Sequence, residues 1–176
     1  IISFFYMFSV IFPGQGSQMV GMGKEFYDNF DLVKNLFKEA DETLNFSLSK
    51  IILEGPKEEL NLTVNTQPAI FLISYSIYNI VKNEFNIDLS NAKYFAVHSL
   101  GEYSALSCAG YLSFSQTLKI LRIRGDAMQN SIPKGQGGMV AVLGSTVETI
   151  EKILKENEQK FKAQIANDNS EGQIVL

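Results

Sequence analysis

YFAVHSLGEYSALSCAG, running from Tyr94 to Gly110, is the stretch on which the fold turns. Tyr94–His98 reads as a short apolar strand, and Ser99 onward turns abruptly into a helix that stops at Gly110. Val97-His98-Ser99-Leu100-Gly101 occupies the place of a G-x-S-x-G turn, which lifts a serine hydroxyl clear of a sheet edge. In that setting the backbone N–H of Leu100 sits at a helix N-terminus, where it can face a developing oxyanion. The alternative is an ordinary serine N-cap, and the pentapeptide alone leaves both open because its first glycine is missing. A nucleophilic serine needs a base. His98 is the only histidine in the chain, yet consecutive residues at a strand end point to opposite sides. Glu102, three residues on, shares a helical face with Ser99 and is a weak candidate beside its reading as a solvated first-turn carboxylate.

The surrounding sequence supplies the architecture. IISFFYMFSVIF, at the start, is too short for a membrane span of about 20 residues and lacks the basic flank of a signal peptide. It reads as a strand buried on both faces, leading into FPGQGSQMVGMG. In an open α/β sheet such post-strand loops gather at the ligand crevice, so this one is expected to meet Ser99. It lacks the G-x-G-x-x-G spacing of a dinucleotide loop. Phe26, Phe30, Val33, Phe37, Ala40 and Leu44 predict one amphipathic helix. NTQPAIFLISYSIYNIVKNEF is apolar nearly all round and predicts a core helix capped by Thr66, with Pro68 in its first turn. Ser113 and Gln116 have capping-box spacing at the head of another helix. Strand, helix, helix, strand, helix, helix indicates an α/β sheet with crossover helices. PKGQGG, Pro133 to Gly138, breaks the pattern, giving residues 1–136 and 137–176 as two domains. The second reads as a β-α-β-β unit: a strand in MVAVLG, a helix in TVETIEKILKENEQKF, then strands in KAQIAND and GQIVL. The chain is expected to start naturally at Met7 and to continue past Leu176.

Composition narrows the classes. A net charge of −4 gives no electrostatic footprint for general nucleic-acid binding, and no stretch suits a membrane, so a soluble cytoplasmic protein is expected. One cysteine, Cys108, excludes an intrachain disulfide framework and reads as a buried apolar residue. Arg122 and Arg124 are the only arginines. A guanidinium can hold a carboxylate through two parallel hydrogen bonds. On a helix these two point about 160° apart, flanking Leu121, Gly125 and Met128, so periodicity does not say which faces a site.

Together, FPGQGSQMVGMG, NTQPAIF, HSLGEYSAL with AGYLSF, RGDAMQ, and GGMVAVLG with IANDNSEGQIVL resemble the malonyl-CoA:acyl-carrier-protein transacylase family. The resemblance implies a hydrolase-like α/β core with a mainly parallel sheet and nucleophile elbow, plus an incomplete ferredoxin-like small subdomain. It implies that Ser99 forms a malonyl ester, that the Leu100 and Gln15 N–H groups form the oxyanion hole, and that Arg124 pairs with the malonate carboxylate. His98 then lines the pocket and Gln67 supports it. The partners implied are malonyl-CoA and acyl carrier protein, with no metal or redox cofactor. Lys119 and Arg122, on one helical face, are candidates to receive the acidic carrier. The family's base is a histidine in a later half that this chain does not contain. Where the family writes glycine, this chain has Val97, whose β-branched side chain is expected to crowd the turn. Two other readings stay open: a Ser–carboxylate hydrolase using Glu102, and an inactive piece that only binds acyl-CoA or carrier protein.

Overall fold

After Met7 the apolar run forms β1 (Ser9–Phe12), which pairs in parallel with β2 (Tyr94–Val97), Ser9 opposite Tyr94 and Phe12 opposite Val97. The computed structural model describes residues 7–132 and 136–176, so the first six residues of the run, and Pro133 to Gly135 of the expected linker, lie outside the described residues. Burial of β1 is one-sided, unlike the expectation. Phe12 is 2% exposed and Ile11 76%. Alternation sends Val10 and Phe12 together onto Tyr78 and Phe95, while Ile11 points to the other face of the two-stranded sheet and stays exposed.

Between the strands runs a helical crossover: α1 (Lys24–Asn29), α2 (Asp31–Leu44), α3 (Leu48–Glu54), α4 (Lys57–Leu60) and α5 (Thr63–Asn83). The single amphipathic helix expected over α1 and α2 is broken at Phe30, whose backbone is extended at φ −125°, ψ 117°. Phe30 still donates its N–H to Phe26, while its carbonyl accepts from Val33. Across the break Phe26 and Tyr27 as well as Val33 and Phe37 reach one core.

α5 is the core helix, with every residue from Asn65 to Leu72 buried. It starts at Thr63, three residues before the expected cap. Thr66 is no cap: its hydroxyl is buried and donates to the carbonyls of Leu60 at 2.6 Å and Leu62 at 3.1 Å. Pro68 therefore stands inside the helix, not in its first turn. After β2 follow α6 (Gly101–Cys108) and α7 (Phe114–Gln129). Gly110, at φ 85°, ends α6 in the left-handed region. The Ser113–Gln116 capping box opens α7 with both reciprocal bonds made. Phe114 then packs on Phe71 and Tyr75 at ring separations of 5.5 and 4.9 Å.

The chain divides into two compact units between Ser131 and Ile132, where the sequence reading puts the boundary between residues 136 and 137. The second unit holds β3 (Ala141–Leu143), α8 (Val147–Glu156), β4 (Asn167–Ser170) and β5 (Gln173–Val175). Its antiparallel sheet has the order β3-β5-β4. The fourth strand begins at Asn167, five residues later than KAQIAND suggests. Thr146 caps α8, and Ile150 and Ile174 supply the buried apolar side chains.

Candidate active site

Two glycines bring the loop after β1 against the turn after β2. A methyl group on Gly101 would lie 3.1 Å from the carbonyl carbon of Phe12 and from the carbonyl oxygen of Pro13, and would meet the Phe12 oxygen still more closely. A methyl group on Gly14 would strike the His98 imidazole and lie 2.7 Å from the His98 carbonyl. Loop and turn therefore touch backbone to backbone, knitted by the His98 N–H, which donates to the Phe12 carbonyl at 3.2 Å. This is the meeting of FPGQG with HSLG that the strand order requires.

Ser99 sits in that turn at φ 50°, one of three non-glycine residues in the left-handed region among the described residues. Such a backbone is strained for a side chain bearing Cβ, and the residue is exposed. Ser99 is not a side-chain N-cap of α6. Leu100 is wholly buried, and among the described residues neither its N–H nor that of Gln15 donates a hydrogen bond. A buried N–H without a partner is costly, so the Leu100 donor is available to an oxygen atom brought to the turn. Val97 does not crowd the turn. Its side chain is 46% exposed, and the close approach falls at Gly101 and Gly14.

Of the two arginines, Arg124 is the one beside Ser99. Its Nη2 donates to Ser99 Oγ at 3.4 Å and its Nη1 to Gln67 Oε1 at 2.7 Å. Gln67 is wholly buried, and its Nε2 donates to the Met128 sulfur at 3.1 Å, which fixes which way its amide faces. The Arg124 guanidinium also lies 5.7 Å from the centre of the Tyr103 ring. Gln15 reaches Thr63 Oγ1 through its side chain at 3.3 Å. Serine, arginine and glutamine are thus in hydrogen-bond sequence. His98 packs on Gly14 instead, and its imidazole makes no hydrogen bond to Ser99 among the described residues. Glu102 is exposed and likewise makes none with Ser99 Oγ.

Arg122 is committed elsewhere. It donates to the Val64 carbonyl at 3.3 Å and to Asn65 Oδ1, and stacks 4.3 Å from the centre of the Phe46 ring. Burial lowers its pKa from the ordinary value, with Asp126 opposing that shift. It is therefore not the free surface cation expected beside Lys119. Sequence reasoning missed Tyr103 and Met128 as members of the site. Met128 stands four residues beyond Arg124 on α7, so helical spacing was the available signal there, whereas Tyr103 lies on α6 and Ser99 before it.

A cavity of about 480 Å³ lies along β1 and α5, lined by Phe12, Met19, Ile73, Ile77 and other uncharged residues. Ser99, Gln67 and Arg124 do not line it, and it offers no charged group to an ionic substrate. Among the described residues, no cluster of histidine, cysteine and carboxylate side chains could hold a metal ion, and no helix is long and apolar enough to cross a membrane.

A parallel strand pair joined by a helical crossover, with a strained serine at the mouth of the following helix, marks an α/β protein. Residues 9–175 match the family model described as acyl transferase domain, and the chain belongs to that family. It is 45% identical over 167 residues to the malonyl CoA-acyl carrier protein transacylase of Bacillus subtilis (strain 168), covering 94% of this chain and 51% of that protein. The Escherichia coli K12 protein of the same name is 37% identical over 169 residues, covering 96% of this chain and 54% of its own length. The crystal structure of the acyl-carrier-protein S-malonyltransferase from Bartonella henselae superposes with a TM-score of 0.89 at 42% identity, covering 96% of this chain and 54% of that one. A malonyl-transacylase in complex with a type II PKS acyl carrier protein superposes at 0.87, at 38% identity, with 96% and 54% covered. The chain spans about half the length of the curated relatives it matches.

Proposed function

We propose that this chain carries the acyl-accepting half of a malonyl-CoA:acyl-carrier-protein transacylase, acting in fatty-acid synthesis in the cytoplasm. The first unit is then a hydrolase-like core, the Ser99 turn its nucleophile elbow, and the second unit part of a ferredoxin-like subdomain. Ser99 Oγ adds to the thioester carbonyl of malonyl-CoA, and the Leu100 and Gln15 N–H groups hold the oxyanion. The C–S bond then breaks, CoA leaves as its thiol with the hydroxyl proton, and a malonyl ester stays on Ser99. The phosphopantetheine thiol of acyl carrier protein repeats the exchange in reverse. Arg124 receives the free carboxylate, braced by Gln67, with His98 at the wall of the site. No metal or redox cofactor enters this scheme. The observation that carries it is the hydrogen bond from Arg124 to Ser99 Oγ, because a fixed guanidinium beside the nucleophile selects an acyl group that bears its own carboxylate.

The test is the intact mass of the purified chain after incubation with malonyl-CoA, beside Ser99→Ala and Arg124→Ala. A malonyl adduct on the parent and none on Ser99→Ala is expected, with the Arg124→Ala adduct forming more slowly by about a hundred-fold. An adduct that survives Ser99→Ala would sink the assignment. One observation favours a second, narrower reading, in which the chain binds acyl-CoA without turnover: no side chain able to act as base hydrogen-bonds Ser99 Oγ among the described residues. Malonyl-CoA binding by calorimetry with no adduct at any time would select it.

A further inference from the structure

α7 meets the first turns of α5 at backbone distance. A methyl group on Gly125 would lie 2.7 Å from both the Thr63 carbonyl oxygen and the Val64 Cα, so only glycine lets the two helices close this far. Phe114, Leu118 and Leu121 seat the first part of α7 in the core, whereas beyond Leu121 the close contact is made by Gly125, which has no side chain to fix how that part of the helix lies, so its flanking residues add to the hold. Arg122 stands on one flank and Arg124 on the other.

Pro68 supplies the anchor on the Arg122 side. Inside α5 it has no N–H to donate to the carbonyl of Val64, four residues earlier, so that carbonyl lacks its helical partner. Arg122 Nη1 donates to it at 3.3 Å. The same nitrogen reaches Asn65 Oδ1, and Asn65, 2% exposed, has its amide held by donation of Nδ2 to the Glu59 carbonyl at 2.8 Å. Phe46 closes the guanidinium face. Among the described residues no carboxylate makes a salt bridge with Arg122, so its fixed partners are neutral acceptors on α5. Farther along, Gln129 Oε1 accepts from the Thr63 N–H at 3.0 Å.

We propose that Arg122 is a positioning residue: held by the carbonyl that Pro68 leaves free, it fixes the part of α7 around Gly125 against α5 and so keeps Arg124 on Gln67 and Ser99. The role of Arg124 rests on the transfer reading above, whereas the linkage between the two arginines rests on the geometry alone. Proline inside a helix works against helix stability, and here it creates an acceptor that a second helix uses. Lysine in place of Arg122 could not serve both acceptors and the aromatic face at once.

Because Arg122 and Arg124 are the only arginines, ¹⁵N-arginine labelling gives a guanidinium spectrum of two residues. In the parent, both groups are expected to show slowed rotation about Nε–Cζ. Arg122→Lys should leave the Arg124 signals alone in the spectrum and averaged. Pro68→Ala should restore the helical bond to the Val64 carbonyl, so that Arg122 shares that acceptor and keeps only Asn65 and Phe46 to itself, and should speed the averaging of the Arg124 signals too, while the melting temperature holds or rises. Arg124 signals that stay slowed in the folded variants would overturn the proposal. If Arg122→Lys does not fold, Pro68→Ala decides alone. In the adduct assay both variants should acylate about ten-fold more slowly with malonyl-CoA and unchanged with acetyl-CoA. Failure of the parent to acylate sinks the transfer reading, and the guanidinium spectrum still decides the linkage.

Discussion

The turn that holds Ser99 can close on the loop after β1 only because Gly14 and Gly101 carry no side chain. Gly101→Ala would press a methyl group into the Phe12 and Pro13 carbonyls, and rigid backbone cannot swing aside as a side chain would. The expected destabilisation is about 1–3 kcal/mol in urea unfolding, together with a lost Ser99 adduct. Val97→Gly is expected to behave oppositely to the reading of Val97 as an obstruction. It should lower stability by about 0.5–1 kcal/mol, as glycine in a strand does, and leave acylation unimproved. Urea unfolding and adduct kinetics on one variant check both statements. Much of this site is legible in the sequence, since HSLG between a strand and a helix already marks the turn. The choice between Arg122 and Arg124 is not, because it depends on an acceptor 57 residues away on α5. Val97 misleads for a related reason: a motif compares residue types, while crowding depends on which backbone lies opposite.

Elements are legible where a signal is local. The capping box at Ser113 is one, and Ser113→Ala should cost about 1 kcal/mol by loss of the acceptor for the Gln116 N–H. Since Gln116 Oε1 in turn accepts from the Ser113 N–H, Ser113→Ala and Gln116→Ala should be non-additive in a double-mutant cycle followed by urea unfolding. Additive losses would mean the two halves act separately. The period of the Phe26–Leu44 stretch is equally local, yet it does not reveal the break at Phe30. Hydrophobic spacing reports which faces are buried, and two short helices meeting the same core preserve it. The head of α5 is hidden for another reason. Thr66 and Pro68 look like a cap and a first-turn proline, but the Thr66 hydroxyl satisfies the Leu60 carbonyl, which lies outside the helix. A start signal and a tertiary bond use the same residue type.

At the scale of the whole molecule the two units differ in how they are held. Cys108 belongs to the first, packed against Phe12, Tyr78 and Ala105. Burial pushes its thiol up from 9.0 to about 12, so alkylation at pH 8 should be slow in the native protein and rapid on unfolding. The folded state holds this proton longer than the unfolded chain, so the associated stability is full below pH 9 and is lost as pH rises toward 12. Cys108→Ala should flatten that alkaline decline in part. Burial also raises Tyr75 and Tyr78 above their usual 10.0, which leaves a remaining slope of the same sign. The second unit has far less to hold it: among its described residues, Ile150 and Ile174 are the buried apolar side chains. Chains of about 40 residues seldom bury enough surface to fold without help. Residues 132–176 prepared alone should therefore show no cooperative transition, whereas a chain ending at Ser131 should keep the far-UV signature and melting transition of its helical core. Circular dichroism melts of the two pieces check this, and a sharp transition in residues 132–176 would show that the small sheet is stabilised by more than its apolar core.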